Sequence, residues 1–426
     1  MIIHTVKEGE SLYSIANDYQ VDLQRLITDN GLRNPNNLVI GQTLVILFPT
    51  EIHTVQEGES LFYIGKMYGI SINQLYRNNP GLQGKSEIYP GQQLVIRYRP
   101  DPIGSTDING YAYPYIDLQL LRQTLPYLTY LMPFTYEISE DGSLVPPDDV
   151  LLIQMAKEYG VAPFMNLSNL REPKGFDSQL AHRILGSREL QDRIIRETLT
   201  TMRQKGYSGL DIDFEYVLEE DKYRLADFIQ RFRSRLNPAG YEVFAALAAK
   251  TSEKEAGLLT AGHDYKALGE AADAVLLMTY EWGYRYGPPM AIAPIGNVRQ
   301  VLDYAVTQIP PRKIFVGIPN YGYDWPLPYQ QGITEARSIS NVEAVDLAME
   351  QGVSIQYDNN AQAPYFQYVK DGITHEVWFD DAKSIRAKLE LVAEYGLRGA
   401  GYWNLMRPFP ENWAVLNGLY RVNPPK

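Results

Sequence analysis

The chain has 426 residues, 45% of them hydrophobic, enough for a sizeable core and, by length, two or three domains. No run approaches the roughly 20 consecutive apolar residues of a membrane-spanning helix. Cysteine is absent, which removes disulfides and thiolate chemistry, and a net charge of −12 argues against a nucleic-acid polyanion as partner.

Residues 2–49 and 51–98 are two copies of one unit. His4-Thr5-Val6 recurs as His53-Thr54-Val55, and Glu8-Gly9-Glu10-Ser11-Leu12 as Glu57-Gly58-Glu59-Ser60-Leu61. The segment from Ile40 to Ile46 recurs, with a small insertion, from Tyr89 to Ile96. Each copy predicts a strand, a Ser-capped helix, a second helix starting near Asp22 or Ser71, and a closing strand. The units resemble LysM modules, small βααβ domains that bind N-acetylglucosamine-containing glycans such as peptidoglycan and chitin. The resemblance implies a glycan groove between the first strand–helix loop and the last helix–strand loop. That places Gly9, Glu10, Ser11 and Leu12 with Ile40 in the first copy, and Gly58, Glu59, Ser60 and Leu61 with Tyr89 in the second. For each of these residues a plain turn or cap, with no ligand contact, is the alternative. The units divide as 1–49 and 50–99, and a Pro-rich spacer from Tyr98 to Ser105 leads into the remainder, 100–426.

From about residue 106 strands and amphipathic helices alternate, the pattern of a parallel β/α fold. Candidate strands are 108–113, 128–136, 161–167, 209–214, 241–248, 273–281, 313–321 and 398–404, the number a closed barrel needs. Helices are predicted over 187–205, stopped by Gly206, over 222–236, ended by Asn237-Pro238, and over 382–395 with Asp381 as cap. The interval from Trp325 to about Asp380 is too long for a loop, and reads as a small α+β insertion between strands seven and eight.

Within strand four, Leu210, Ile212 and Phe214 alternate with Asp211, Asp213 and Glu215. Successive side chains of a strand point to opposite faces, so the three acids share one face. Burying unpaired anions is expensive, and no basic residue lies in the run to offset them. A surface strand of alternating charge is the bland alternative, and a row of acids entering a catalytic pocket is the better one. The stretch from Ser208 to Glu215 resembles the D-G-x-D-x-D-x-E signature of glycoside hydrolase family 18, with Ser208 in place of the first Asp. The resemblance implies a (β/α)8 TIM barrel with Glu215 as catalytic acid and Asp213 and Asp211 behind it.

In that family the substrate's own 2-acetamido oxygen attacks the anomeric carbon, so no cofactor and no metal are expected. The five histidines, His4, His53, His182, His263 and His375, also lack ligand spacing. Met278 to Trp282 resembles the family's M-x-Y-D element. Tyr280 then acts on the acetamido carbonyl, and Glu281 stands where Asp is usual. Trp403 is implied as the floor of the cleaved sugar's subsite. Tyr402, Glu281, Tyr321 and Trp325, at or just past strand ends where barrel enzymes place their chemistry, are further substrate-contact candidates, and Asn166 and Asn169, after strand three, are candidates for polar contacts. Two LysM modules on such a barrel resemble bacterial spore germination hydrolases of the cortical-fragment-lytic N-acetylglucosaminidase type. That architecture implies a spore-associated protein, in keeping with a start, Met1 to Val6, that shows no secretory signal. Chitinase and a non-catalytic glycan-binding barrel are the rival readings. The expected partner is an N-acetylglucosamine-containing glycan, with no nucleic acid and no membrane. Lectins on this barrel typically lose the acid, and this chain keeps Glu215, Asp213 and Tyr280.

Overall fold

A computed structural model describes residues 1–255 and 257–425. The repeat folds twice into one unit. In the first copy Ile2–Thr5 pairs antiparallel with Thr43–Ile46, beside helices Leu12–Tyr19 and Leu23–Asp29. In the second, Phe48–Thr54 pairs with Gln93–Arg99, beside helices Leu61–Tyr68 and Ile72–Asn78. Ser11, Asp22, Ser60 and Ser71 start the four helices, each accepting an amide that the helix itself cannot satisfy.

The recurring His and Asn residues are structural. His4 meets Glu10 at 2.8 Å and the Tyr19 hydroxyl at 3.1 Å, and His53 meets Glu59 at 2.7 Å and Tyr68 at 3.1 Å. Asn30 accepts the Val45 amide at 2.6 Å and donates to the Val45 carbonyl at 2.9 Å. Asn79 grips Val95 in the same way, at 2.8 and 2.9 Å. One side-chain amide thus stands in for a neighbouring strand.

Eight parallel strands follow, in sequence order around a closed barrel: β1 (Gly104–Ala112), β2 (Tyr130–Pro133), β3 (Ala162–Ser168), β4 (Gly209–Asp213), β5 (Glu242–Ala248), β6 (Ala274–Met278), β7 (Ile314–Pro319) and β8 (Gly399–Trp403). β8 closes on β1 through Gly399↔Asp107 to Tyr402↔Gly110. A β-carbon at Gly399 would lie 1.8 Å from the Asp107 carbonyl oxygen, so only glycine lets the last strand approach the first. At the barrel's lower end Arg398 meets Asp107 and Glu242, each at 3.0 Å, beneath Tyr130, Phe244 and Phe315. Apolar side chains facing outward from the strands pack under the helices Arg188–Lys205, Lys222–Leu236 and Ala382–Glu394. No helix of the described residues is long and apolar enough to cross a membrane.

The insertion after β7 is a five-stranded antiparallel sheet with helix Asn341–Glu350. It begins at Gly322, earlier than the Trp325 expected from the sequence. Gly322–Pro326 leaves the barrel to pair with Arg337–Ile339 and Ile373–Trp378.

Both modules are docked on the barrel. The Ile355 amide, in the insertion, donates to the Ile40 carbonyl at 2.9 Å, and Val39 joins the insertion's apolar cluster beside Ile339 and Phe366. In the second module Arg77 donates to the Pro126 carbonyl at 2.6 Å, Asn73 to that of Tyr159 at 2.7 Å, and Asn417 bonds Asn78 at 3.0 Å. Gly41, at φ +90°, is the tightest point of the first contact, where an added β-carbon would sit 1.9 Å from the Ile355 carbonyl oxygen. Gly41→Ala should therefore cost about 1–3 kcal/mol through backbone strain and lost docking. A lowered calorimetric midpoint is expected, and an unchanged one would show that the contact contributes nothing.

Candidate active site

The acids of β4 are arranged in a gradient. Asp211 and Asp213 point into the barrel, while Leu210 and Ile212 are buried on the opposite face under the helices. Asp211, deepest, accepts the Tyr111 hydroxyl at 2.9 Å and the Asn166 side-chain amide at 2.8 Å. Burial pushes its carboxyl up to about 6, and those two donors hold it from rising further.

Asp213 is buried as deeply, yet its Oδ1 has no hydrogen-bond partner. Burial first, then the charges of Glu215 and Asp211, push its carboxyl well above the usual range. Glu215 stands two positions on, beyond the last residue of the strand. Burial and then the nearby Glu281 raise it from 4.5 to about 7. Tyr280, just past β6, lies within electrostatic reach of all four carboxyls, and with burial they push its hydroxyl far up.

Beside Glu281 and Trp403 runs a groove of about 400 Å³, lined also by Tyr113, Tyr115, Tyr321, Tyr323 and Arg407 among others. Trp403 is partly exposed and is wedged edge-on against Phe134 (4.9 Å), Tyr111 (5.7 Å) and Tyr113 (6.0 Å). Tyr321 donates to Glu281, and Tyr323 donates to the same carboxylate at 3.1 Å, so the Glu that replaces the usual Asp is held by two hydroxyls.

The structure brings Glu215, Asp213, Asp211, Tyr280, Glu281, Tyr321 and Trp403 to this end of the barrel. Other expectations need correcting. Tyr402 is 1% exposed, faces outward against Trp413 and donates to Asn412 at 3.0 Å. Alternation along β8 makes this the consequence of Trp403 facing in. Trp325 is fully buried in the insertion, its indole N–H bonded to the Gly287 carbonyl at 2.8 Å. Asn166 is also fully buried and serves Asp211, not the groove.

In the modules Leu12 and Leu61 are core residues, and Ser11 and Ser60 are helix caps. Glu10 and Glu59 close their own turns by accepting backbone amides and the adjacent His. Gly9 and Gly58 supply the left-handed turns, at φ +80° and +81°. Ile40 is exposed, but its carbonyl is taken by the insertion. Tyr89, 69% exposed, stays open to a ligand.

The tyrosines Tyr111, Tyr113 and Tyr115 went unassigned in the sequence, although their spacing of two at the end of β1 marks one strand face. Among the described residues, the one group of acids and histidine close enough to share an ion is His182, Glu220 and Asp221. There Arg224 already neutralises Asp221 at 2.9 Å.

The profile described as Glycosyl hydrolases family 18 matches residues 175–407, and that of the LysM domain matches 4–47 and 53–97. The cortical fragment-lytic enzyme of Bacillus subtilis (strain 168) is 40% identical, with 99% of both chains covered. The crystal structure of the spore cortex-lytic enzyme SleL of Bacillus megaterium QM B1551 superposes with a TM-score of 0.84 at 39% identity, over 99% of this chain and 98% of that one. A chitinase from Chromobacterium violaceum superposes at 0.69 with 26% identity, over 74% of this chain and 99% of its own.

The raised Glu215 carboxyl has a consequence for stability. A folded-state value of about 7 against 4.5 means the folded protein holds that proton more tightly than the unfolded chain. Below 4.5 both states are protonated and nothing is lost; between 4.5 and about 7 stability falls as pH rises, and above that the penalty is constant. Glu215→Gln should thus stabilise the fold by about 1–3 kcal/mol at pH above about 8 and by nearly nothing at pH below about 4. Thermal denaturation at the two pH values checks this, and a gain equal at both would contradict it.

Proposed function

The chain belongs to glycosyl hydrolase family 18 and is a glycoside hydrolase, and on that premise we propose that it cleaves N-acetylglucosaminyl bonds in peptidoglycan by a substrate-assisted, retaining route. The observation that carries this reading is the unpartnered, buried oxygen of Asp213 beside a Glu215 carboxyl raised to about 7. A site left short of one hydrogen-bond donor, next to an acid still half-protonated near neutrality, suits a substrate that brings an amide N–H of its own.

In the proposed sequence Glu215 gives its proton to the leaving glycosidic oxygen as the C1–O bond breaks. The acetamido carbonyl oxygen bonds to C1 on the opposite face and forms an oxazolinium. Asp213 accepts the acetamido N–H and offsets the positive charge, while Tyr280 donates to the acetamido oxygen. Trp403 supports the sugar ring. Water then attacks C1 with the Glu215 carboxylate taking its proton, the C1–O bond of the oxazolinium breaks to restore the neutral acetamido group, and two inversions give net retention. Asp211, kept by Tyr111 and Asn166, biases Asp213 from below. The chemistry needs no cofactor.

Residues 1–49 and 50–99 hold an N-acetylglucosamine-containing glycan, and 100–426 cut it. The cortex-lytic relatives, matched along nearly the whole chain, support spore peptidoglycan as the polymer and the spore as the location. Chitin is the second reading, supported by the chitinase likeness over the barrel.

Glu215→Gln should lower turnover on cortex fragments by about 10²–10⁴-fold while the glycan still binds. Near-normal turnover would remove the assignment. In the wild type, kcat/KM should fall above pH about 7, because the donor's proton is lost as pH rises through the value raised by burial. A substrate analogue lacking the acetamido group should not react, and its cleavage at a comparable rate would sink the substrate-assisted route. Release of reducing ends from cortex fragments, set against release from chitin oligomers, decides between the two polymers.

A further inference from the structure

We infer that Asn169 and His263 are positioning residues that hold the main chain of Glu215 in place beyond the end of its own strand; the inference rests on the reading of Glu215 as the acid. The β3–β4 ladder ends at Ser168↔Asp213, and the β4–β5 ladder ends earlier, at Ile212↔Ala245. Past those points, among the described residues, no neighbouring backbone pairs with Phe214 or Glu215, and the chain turns sharply at Tyr216, whose φ is +54°. Two fully buried side chains take over, one from each side.

Asn169, the first residue after β3, accepts the Glu215 amide at 2.9 Å and donates to the Glu215 carbonyl at 2.9 Å. This is the same two-point grip that Asn30 and Asn79 apply to Val45 and Val95 in the modules. From the other side His263 accepts the Ala248 amide at 2.8 Å on Nδ1 and meets the Phe214 carbonyl at 2.9 Å with Nε2. A backbone amide can only donate and a carbonyl only accept, so the neutral ring with hydrogen on Nε2 satisfies both bonds. His263 thereby ties the last residue of β5 to the peptide just before the acid.

The placement matters because, among the described residues, no side chain or amide hydrogen-bonds the Glu215 carboxyl. With no such bond to orient it, the position of that group depends on its backbone. A displacement of about 1 Å in a catalytic group can cost on the order of 10²-fold.

The test uses the full chain and aryl glycosides of an N-acetylglucosamine disaccharide, with kcat/KM reporting the first bond cleavage. Departure of a phenyl group needs the acid's proton, whereas departure of a dinitrophenyl group does not. Asn169→Ala and His263→Ala should each lose about 10–100-fold on the phenyl glycoside and less than about threefold on the dinitrophenyl one. Asn169→Asp, which keeps the acceptor for the Glu215 amide and gives up the donor, should recover part of the loss. Equal losses on both glycosides, or none on either, would overturn the inference, since a general loosening of the fold does not depend on the leaving group. Glu215→Gln is measured alongside. If it keeps its activity on the phenyl glycoside, the acid assignment itself has failed; if it loses it while Asn169→Ala and His263→Ala do not, only the positioning inference has.

Discussion

Three carboxyls on one face of a buried strand are the constraint that the rest of the barrel answers. Each would be costly to bury charged and alone, and each meets a different fate. Asp211 has two donors, Asp213 has an oxygen without one, and Glu215 has no hydrogen bond to its carboxyl. The order runs along the strand from the closed barrel interior to the open groove. Hydrogen bonds from protein are present at the bottom and missing at the top, where a substrate would lie. A row of acids that the protein satisfied throughout would be stable and inert. Leaving the upper two short of partners raises their carboxyls, by burial and the charges of Glu215 and Asp211 at Asp213, and by burial and the charge of Glu281 at Glu215, which favours the protonated forms.

The docking of the modules changes what their glycan binding can contribute. A binding domain on a loose linker raises the effective concentration of substrate over a wide volume. Here Gly41 is pressed against Ile355 and Arg77 is buried against Pro126, so each module presents its surface in a fixed direction relative to the barrel. Any gain in affinity then depends on whether one glycan assembly can reach both surfaces at their set spacing. The second module keeps Tyr89 exposed, while in the first the loop carrying Ile40 is occupied by the insertion. The two copies are therefore unequal at this loop, although they share one sequence pattern.

Much of this was legible in the sequence because periodicity and termination are local signals. The eight strands, the module elements and their Ser and Asp caps lie within a few residues of where alternation and capping chemistry put them. The acid ladder was readable for the same reason, since a period of two alone places Asp211, Asp213 and Glu215 on one face. Period two also says that Trp403 and Tyr402 cannot both face the groove. Leu12, Glu10 and their counterparts recur between the copies because the module needs them to fold, so repetition was a poor guide to ligand contact. Trp325 and Asn166 required knowledge of pairing across the chain. Trp325 is buried by an insertion sheet built from distant segments, and Asn166 is oriented by an acid on the next strand.

The proposed clamp on Glu215 belongs with these nonlocal features, and with Glu215 read as the acid it follows from the demands on that role. A proton donor that also serves as base must be free to bond the substrate, so the protein cannot hold its carboxyl with strong hydrogen bonds without raising the barrier to that exchange. Precision has to come from elsewhere, and the main chain is what remains. A continuous ladder would fix it, but a strand extended past the barrel rim would carry the acid away from the sugar. Ending the strand at Asp213 and gripping the next peptides with the side chains of Asn169 and His263 meets both needs. It gives ladder-like restraint at a point where the backbone is already turning, at Tyr216, toward the helix that follows.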